Sequence, residues 1–337
     1  MRNCNWLIKV FVVLVCWCGS FFSYAGERKA FIIDTDGFRD DVIAMLYLLK
    51  IPDISVKAIT IEANENAHCQ AAFHTTLGVL HLIGLKNVPV ACGIDKPANG
   101  TSVLPNSMLT KEDNFLSSTA GLLPRSTMPV NYGGVKLLVK TIRASKAPVT
   151  IVAIGQLTNI AEAYQLDPGI KNHINKIYVM GGAVHVPGNM DGPEQHKAEW
   201  NLHFDPAATA VVLANFPVVL VPLDATNAAP MNEAFLQRVM GDKRNIAYEY
   251  FYQILKNGIV SLRSGLWFFW DPMAAVVATD ESVCEFKFEK LRVVEKPETG
   301  SQLGATVVDG RKGSLIKVCE KVKVREFENK LLAVINS

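Results

Sequence analysis

The sequence predicts an α/β fold: a mostly parallel central sheet with helices on both faces and a small antiparallel addition at the C-terminus. Three observations carry this. Apolar runs of strand length alternate with helix-like segments as far as residue 223. Those runs are continuous rather than alternating, as strands buried on both faces require. After Cys284 the rhythm changes, and FKFEKLRVV, GATVVDG and LIKVCEKVKV follow one another with no helix between them.

In order, Phe31 to Ile33 read as a short buried strand, and DVIAMLYLL continues as a helix opened by Asp40 and Asp41. VKAITIEA (56–63) is a strand, and AHCQAAFHTTLGVLHLIG (67–84) is a helix closed by Gly84. VPVACG (88–93) is a strand and VKLLVKTIRAS (135–145) a helix. VTIVAIG (149–155), LTNIAEAYQL (157–166) and KIYVMGG (176–182) read as strand, helix, strand. PAATAVVLANF (206–216) and VVLVPL (218–223) add a helix and a strand, and EFENKLLAVI is a final helix. Residues 96–131 are rich in Pro, Ser, Thr, Asn and Gly and predict a long loop acting as a lid or binding segment.

The chain has 337 residues, 49% hydrophobic and 20% charged, which suffices for a sizeable core. No internal repeat or linker divides it, so residues 26–337 are expected to form one domain. The formal net charge of +2, with no cluster of Lys and Arg, sets nucleic acid aside as a partner. Arg2 and Lys9 lead into the apolar run VFVVLVCWCGSFF, and Ser23-Tyr24-Ala25 offers small residues at a cleavage site. Residues 1–25 therefore read as a signal peptide, which predicts export to a periplasm or the exterior and no membrane span in the mature chain. Cys69, Cys92, Cys284 and Cys319 remain beyond that leader, without a CxxC pair, which argues against zinc. Their spacing leaves disulfides and free thiols both open.

Four aspartates crowd the stretch FIIDTDGFRDDVIAM: Asp34, Asp36, Asp40 and Asp41. Ligands gather beyond the carboxyl ends of strands in a parallel sheet, and these residues lie at such an end. Aspartates favour the positive end of a helix by about 0.3–1 kcal/mol each, which accounts for Asp40 and Asp41 but not for four. A haloacid-dehalogenase-like phosphatase also carries DxDG after a strand, yet Phe38 stands where that class has Thr or Val, and no late acidic pair follows a strand. An EF-hand loop starting at Asp34 would place Met45 where a bidentate Glu is needed. The spacing DxDxxxDD suits one hard cation gripped by Asp36, Asp40 and Asp41. Thr158, after a strand, and Asp271, opening a helix in FFWDPMAAVV, could add oxygens.

With those residues in view, the chain resembles the calcium-dependent nucleoside hydrolases, the inosine/uridine-preferring group and its purine-specific relatives. The resemblance rests on IIDTDGFRDDVIAM, AIGQLTNIA, YVMGGAV, the GN at 188–189, AEWN, the DP at 205–206, PLDATN and WDP, in that order. It implies a Rossmann-like fold, a Ca2+ cofactor, a ribonucleoside substrate and a dimer or tetramer. It implies that Asp36 ligates calcium and acts as general base on a calcium-bound water. Asp41 and Asp271 would complete the carboxylate ligands, and Thr158 would give its main-chain carbonyl. Asp40 would hold a ribose hydroxyl, and Asn64, Met180, Asn189, Glu199 and Asn201 would line the sugar pocket. Asp34 would be structural, its carboxylate bonded to loop backbone.

Two departures bear on the base. Gly37-Phe38-Arg39 replaces the common Pro-Gly-x segment and is nearer to the purine-specific subgroup. Trp270 stands where the inosine/uridine group carries a His. An indole is no general acid, but it stacks on a purine, so the resemblance implies a purine-preferring hydrolase with Trp270 in catalysis. A second stacking aromatic would have to be Phe115, and His196 and His203 are candidate acids. The alternatives are a broad inosine/uridine-type hydrolase, a phosphatase, and a nucleoside-binding protein without catalysis.

Overall fold

The computed structural model describes residues 28–62, 66–93, 106–190, 197–240, 245–296 and 302–337. The leader at 1–25, Asn64 and His196 lie outside the described residues.

Strands β1 (Lys29–Thr35), β2 (Ile54–Ile61), β3 (Val90–Cys92), β4 (Val149–Ile154), β5 (Ile174–Met180) and β6 (Val218–Val221) pair in parallel. Strands β7 (Cys284–Val293), β8 (Thr306–Val308) and β9 (Ser314–Val322) are the antiparallel addition. They join the same sheet, because β9 also pairs in parallel with β6. The order is β3-β2-β1-β4-β5-β6-β9-β7-β8. The predicted α/β class therefore holds, and the C-terminal addition extends the sheet rather than standing apart.

Burial on both faces follows from the sequence pattern. In β1, Ile33 packs to one side with Ile59, Ile61, Val152 and Ile154, beneath the helices Arg39–Lys50 and Trp270–Thr279. Ile32 packs to the other side with Ile151, Ala153, Ile177 and Val179, against the helices Gly134–Ala144 and Thr158–Leu166. A parallel strand with helices on either face has no solvent side, so it alternates between two cores and not between core and water.

The 96–131 stretch differs from expectation. Its described part contains a helix, Asn106–Thr119. The buried positions Glu112, Leu116 and Thr119 fall at helical spacing. Only one of the three is apolar, because an ion pair anchors this face, and hydrophobic periodicity cannot detect such a helix. The cysteines are paired: Cys69 with Cys92 and Cys284 with Cys319, at Cα separations of 6.2 and 5.8 Å. Both separations suit a disulfide.

Candidate active site

The site begins where β1 ends. Asp34 and Thr35 close the strand, Asp36 to Phe38 turn, and Arg39 starts the helix carrying Asp40 and Asp41. Gly37 sits at φ +79°, and a Cβ there would come within 2.4 Å of Ala72 Cβ. Only glycine fits both the left-handed backbone and the tight approach. Gly155, after β4, lets that strand end pass close under the turn, since a Cβ on it would lie 2.7 Å from the Asp36 nitrogen.

Asp271 enters from the second position of the helix Trp270–Thr279. Asp40, Asp41 and Asp271 are buried, and each offers a carboxylate oxygen within 4.8 Å of the others. The Asp36 carboxyl faces Asp41 in the same group. Burial first, and mutual repulsion second, push Asp36 and Asp271 well above the usual carboxylate range. The same causes take Asp40 to about 8. Burial raises Asp41 too, although Thr35 and main-chain N–H groups pull against it. The guanidinium nearest this group belongs to Arg39, which is already fork-paired with Glu112. Hard oxygens, dense negative charge and no countercharge of its own among the described residues fit a divalent cation.

Thr158 is the buried first residue of its helix, and its hydroxyl donates to Asp205 Oδ2 at 2.9 Å. Asp34 is structural, but by other partners than expected. It accepts from the Thr60 hydroxyl and, at 3.0 Å, from Asn159 Nδ2, so side chains and not loop backbone hold it. Its neighbour Glu62, buried and raised well above the ordinary range by burial and by Asp34, accepts the Asn159 N–H at 2.9 Å.

A cavity of about 710 Å³ opens over the carboxylates. Asp36, Asp40, Asp41 and Asp271 line it, and so do Met180, Asn189, Glu199 and Asn201. Glu199 caps the short helix Trp200–Phe204 and accepts main-chain N–H groups of Asn201 and Gly182, each at 2.9 Å. Burial nevertheless lifts it to about 7. Asn201 Nδ2 donates to the Met180 carbonyl at 3.1 Å, which fixes the amide. Asn189 Oδ1 accepts the Trp200 N–H at 2.8 Å.

Aromatic residues also line the cavity: Trp270, with Trp267, Phe268, Phe38 and Trp200. The Phe268 and Trp270 ring centroids are 5.6 Å apart. Phe115 does not face Trp270 across the cavity; it lies under Arg39, 4.1 Å from the guanidinium carbon to the ring centre. His203 is no candidate acid either, because its Nδ1 is bonded to the Leu303 carbonyl at 2.7 Å and the ring is off the cavity wall. Sequence reasoning missed Phe38, Arg39 and Trp200 as lining residues. Phe38 and Arg39 lay inside the first motif, where their identity drew attention only as a departure.

Comparison with known proteins follows this geometry. A family model described as inosine-uridine preferring nucleoside hydrolase matches residues 31–329. The chain is 34% identical over 203 residues to the pyrimidine-specific ribonucleoside hydrolase RihA of Escherichia coli O1:K1 / APEC, covering 60% of this chain and 62% of the relative. RihA of Salmonella enteritidis PT4 gives 34% over 209 residues, with 61% and 64% covered. The matched part thus spans under two thirds of these relatives' length. In fold, the chain is similar to a plant nucleoside hydrolase, PpNRh1, at TM-score 0.79 and 23% identity, covering 92% of this chain and 99% of that one. It is also similar to the purine-preferring ribonucleoside hydrolase of Gardnerella vaginalis, at TM-score 0.74 and 24% identity, with 91% and 98% covered. With most of its length matched by the family model, the chain belongs to the inosine-uridine preferring nucleoside hydrolase family.

Proposed function

We propose that the protein hydrolyses the N-glycosidic bond of ribonucleosides to ribose and free base, and that its cation is calcium. One observation carries this above all: buried carboxylates from two separate segments converge, with no cation of their own among the described residues beyond the Glu112-paired Arg39, on a cavity large enough for a nucleoside. Asp36, Asp41 and Asp271 would hold the cation, with the Thr158 carbonyl as a further oxygen. When bound, such a cation would lower the pKa of water and help to orient the sugar.

The residues do the rest. Asp36 takes a proton from water as the water oxygen bonds to C1′. The C1′–N bond breaks, its electron pair goes to the base, and the base takes a proton. Asp40 accepts a hydrogen bond from a ribose hydroxyl, and Asn189 and Asn201, on the same cavity, bear on the sugar. Carboxylate and amide oxygens stabilise the positive charge that develops on the sugar. A deoxyribose removes a hydrogen-bonding group and should be a poor substrate.

For the base, we propose a preference for purines, because Trp270, Trp267 and Phe268 offer an aromatic wall. Stacking on such a wall is worth about 1–3 kcal/mol per base. A pyrimidine preference is the second reading, favoured by the name of the 34% identical relatives. Base release from inosine, guanosine, uridine and cytidine separates them. Trp270→Ala should lower purine turnover more than pyrimidine turnover, and equal loss would remove the stacking role. We also infer export of the protein, which its two disulfides support. N-terminal sequencing of the protein from a secreting host should begin at Gly26, and an intact Met1 would refute cleavage.

A further inference from the structure

Arg39 lines the cavity as the partner of Glu112. Its Nε donates to Glu112 Oε2 at 2.9 Å and its Nη2 to Glu112 Oε1. Glu112 thus occupies the side fork of the guanidinium. Its carbon lies over the Phe115 ring, 4.1 Å from the centre, and 5.6 Å from the centre of Trp267, which meets Phe115 edge-on. Among the described residues Nη1 makes no hydrogen bond, so the end fork, Nη1 with the second Nη2 proton, has no acceptor among them. Arg39 is only 9% exposed, and it lines the cavity together with Glu112 and Trp267.

We propose that Arg39 is a specificity-determining residue that reads the base of the nucleoside, selecting bases with an oxo group over those with an amino group at the same position. This rests on the hydrolase reading above. The chemistry is that of a guanidinium fork. Hypoxanthine and guanine present O6 and N7, two acceptors that match two parallel N–H donors. Adenine presents N7 beside an amino group, which sets donor against donor. Uracil and cytosine also differ as oxo and amino at position 4, but there uracil offers the fork a single acceptor, O4, so the pyrimidine selection is the weaker of the two. The fixed cation also faces the base as the C1′–N electron pair moves onto it, and so favours departure. Arg39 gives up no proton, since a guanidinium stays charged; the proton that completes the base comes from water.

The test is kcat/KM for two pairs, inosine against adenosine and uridine against cytidine. It uses wild type, Arg39→Lys, and the double variant Arg39→Met with Glu112→Gln, which leaves no buried charge unpaired. Wild type should favour the oxo member of each pair it hydrolyses. The double variant should lose about tenfold to a hundredfold of that ratio, the discrimination a good bidentate contact supplies. Arg39→Lys keeps the charge without the fork and should lose part of the ratio. Ratios within twofold of wild type, in a double variant with the wild-type melting temperature, would overturn the proposal. So would a wild type that favours adenosine and cytidine. If the double variant does not fold, Arg39→Lys decides: an unchanged ratio overturns the proposal. If wild type hydrolyses no ribonucleoside, the hydrolase reading falls, and calorimetric titration with hypoxanthine and adenine decides instead. Tighter hypoxanthine binding that the variant loses supports the role of Arg39, and equal binding refutes it.

Discussion

The Asp41 carboxylate accepts the main-chain N–H of Phe38 at 3.0 Å, so one side chain both closes the turn after β1 and faces the carboxylate group. Asp41→Asn separates these tasks. The amide oxygen still accepts from Phe38, while one charge leaves a crowded cluster, so the calcium-free protein should be as stable as wild type or more so. The rise in melting temperature on adding calcium should vanish. For wild type that rise corresponds to about 2.7 kcal/mol at a hundred times Kd. Thermal unfolding with and without calcium checks it, and an undiminished rise in the variant would exclude Asp41 as a ligand.

Gly37 is the backbone counterpart. Gly37→Ala must place a Cβ at φ +79°, 2.4 Å from Ala72 Cβ. The left-handed backbone alone costs about 1–2 kcal/mol for a residue other than glycine, and the overlap adds to it. Urea unfolding should show at least that loss, with turnover lowered because Asp36 and the first helical turn shift together. Wild-type stability in the alanine variant would mean that the turn has another conformation.

The disulfide between Cys69 and Cys92 spans 23 residues and ties the helix Asn66–Leu82 to the end of β3. Replacing both cysteines with alanine should cost about 2–4 kcal/mol in urea unfolding. No change in the oxidised protein's midpoint would mean that the bond does not form.

Glu281 gives a pH dependence away from the site. Burial opposes its ionisation, but hydrogen bonds from Lys176, Lys317 and Tyr178 outweigh that and take it down to about 2, from an ordinary 4.5. A depressed carboxyl stabilises the fold above the unfolded value, and that contribution is lost as pH falls from about 4.5 through about 2. Glu281→Gln should therefore be less stable than wild type at pH 7, and the two should converge in acid. A difference that stays constant between pH 7 and pH 3 would show that the charge is not what matters.

Much of this was legible in the sequence, for identifiable reasons. Continuous apolar runs such as VTIVAI marked the buried parallel strands, and DxDxxxDD marked the turn at the sheet's carboxyl edge. Met180, Asn189, Glu199 and Asn201, named by the motif order, line the same cavity as the aspartates. What escaped was held by polar pairing. The helix Asn106–Thr119 is docked through Glu112 on Arg39 and Asp113 on His68, neither of which leaves a hydrophobic period. Asp34 was read against its neighbours in the chain, but its partners, Thr60 and Asn159, come from a strand and a helix far along it. The same blindness assigned Phe115 to the base and overlooked Arg39, which sits on it.

Release of free base from inosine and uridine, followed after exhaustive chelation and again after calcium is restored, bears most directly on the central claim. The account predicts that release nearly stops without the cation, returns with calcium, and does not return in Asp271→Ala. Full turnover by the chelated protein, or in that variant, would contradict it.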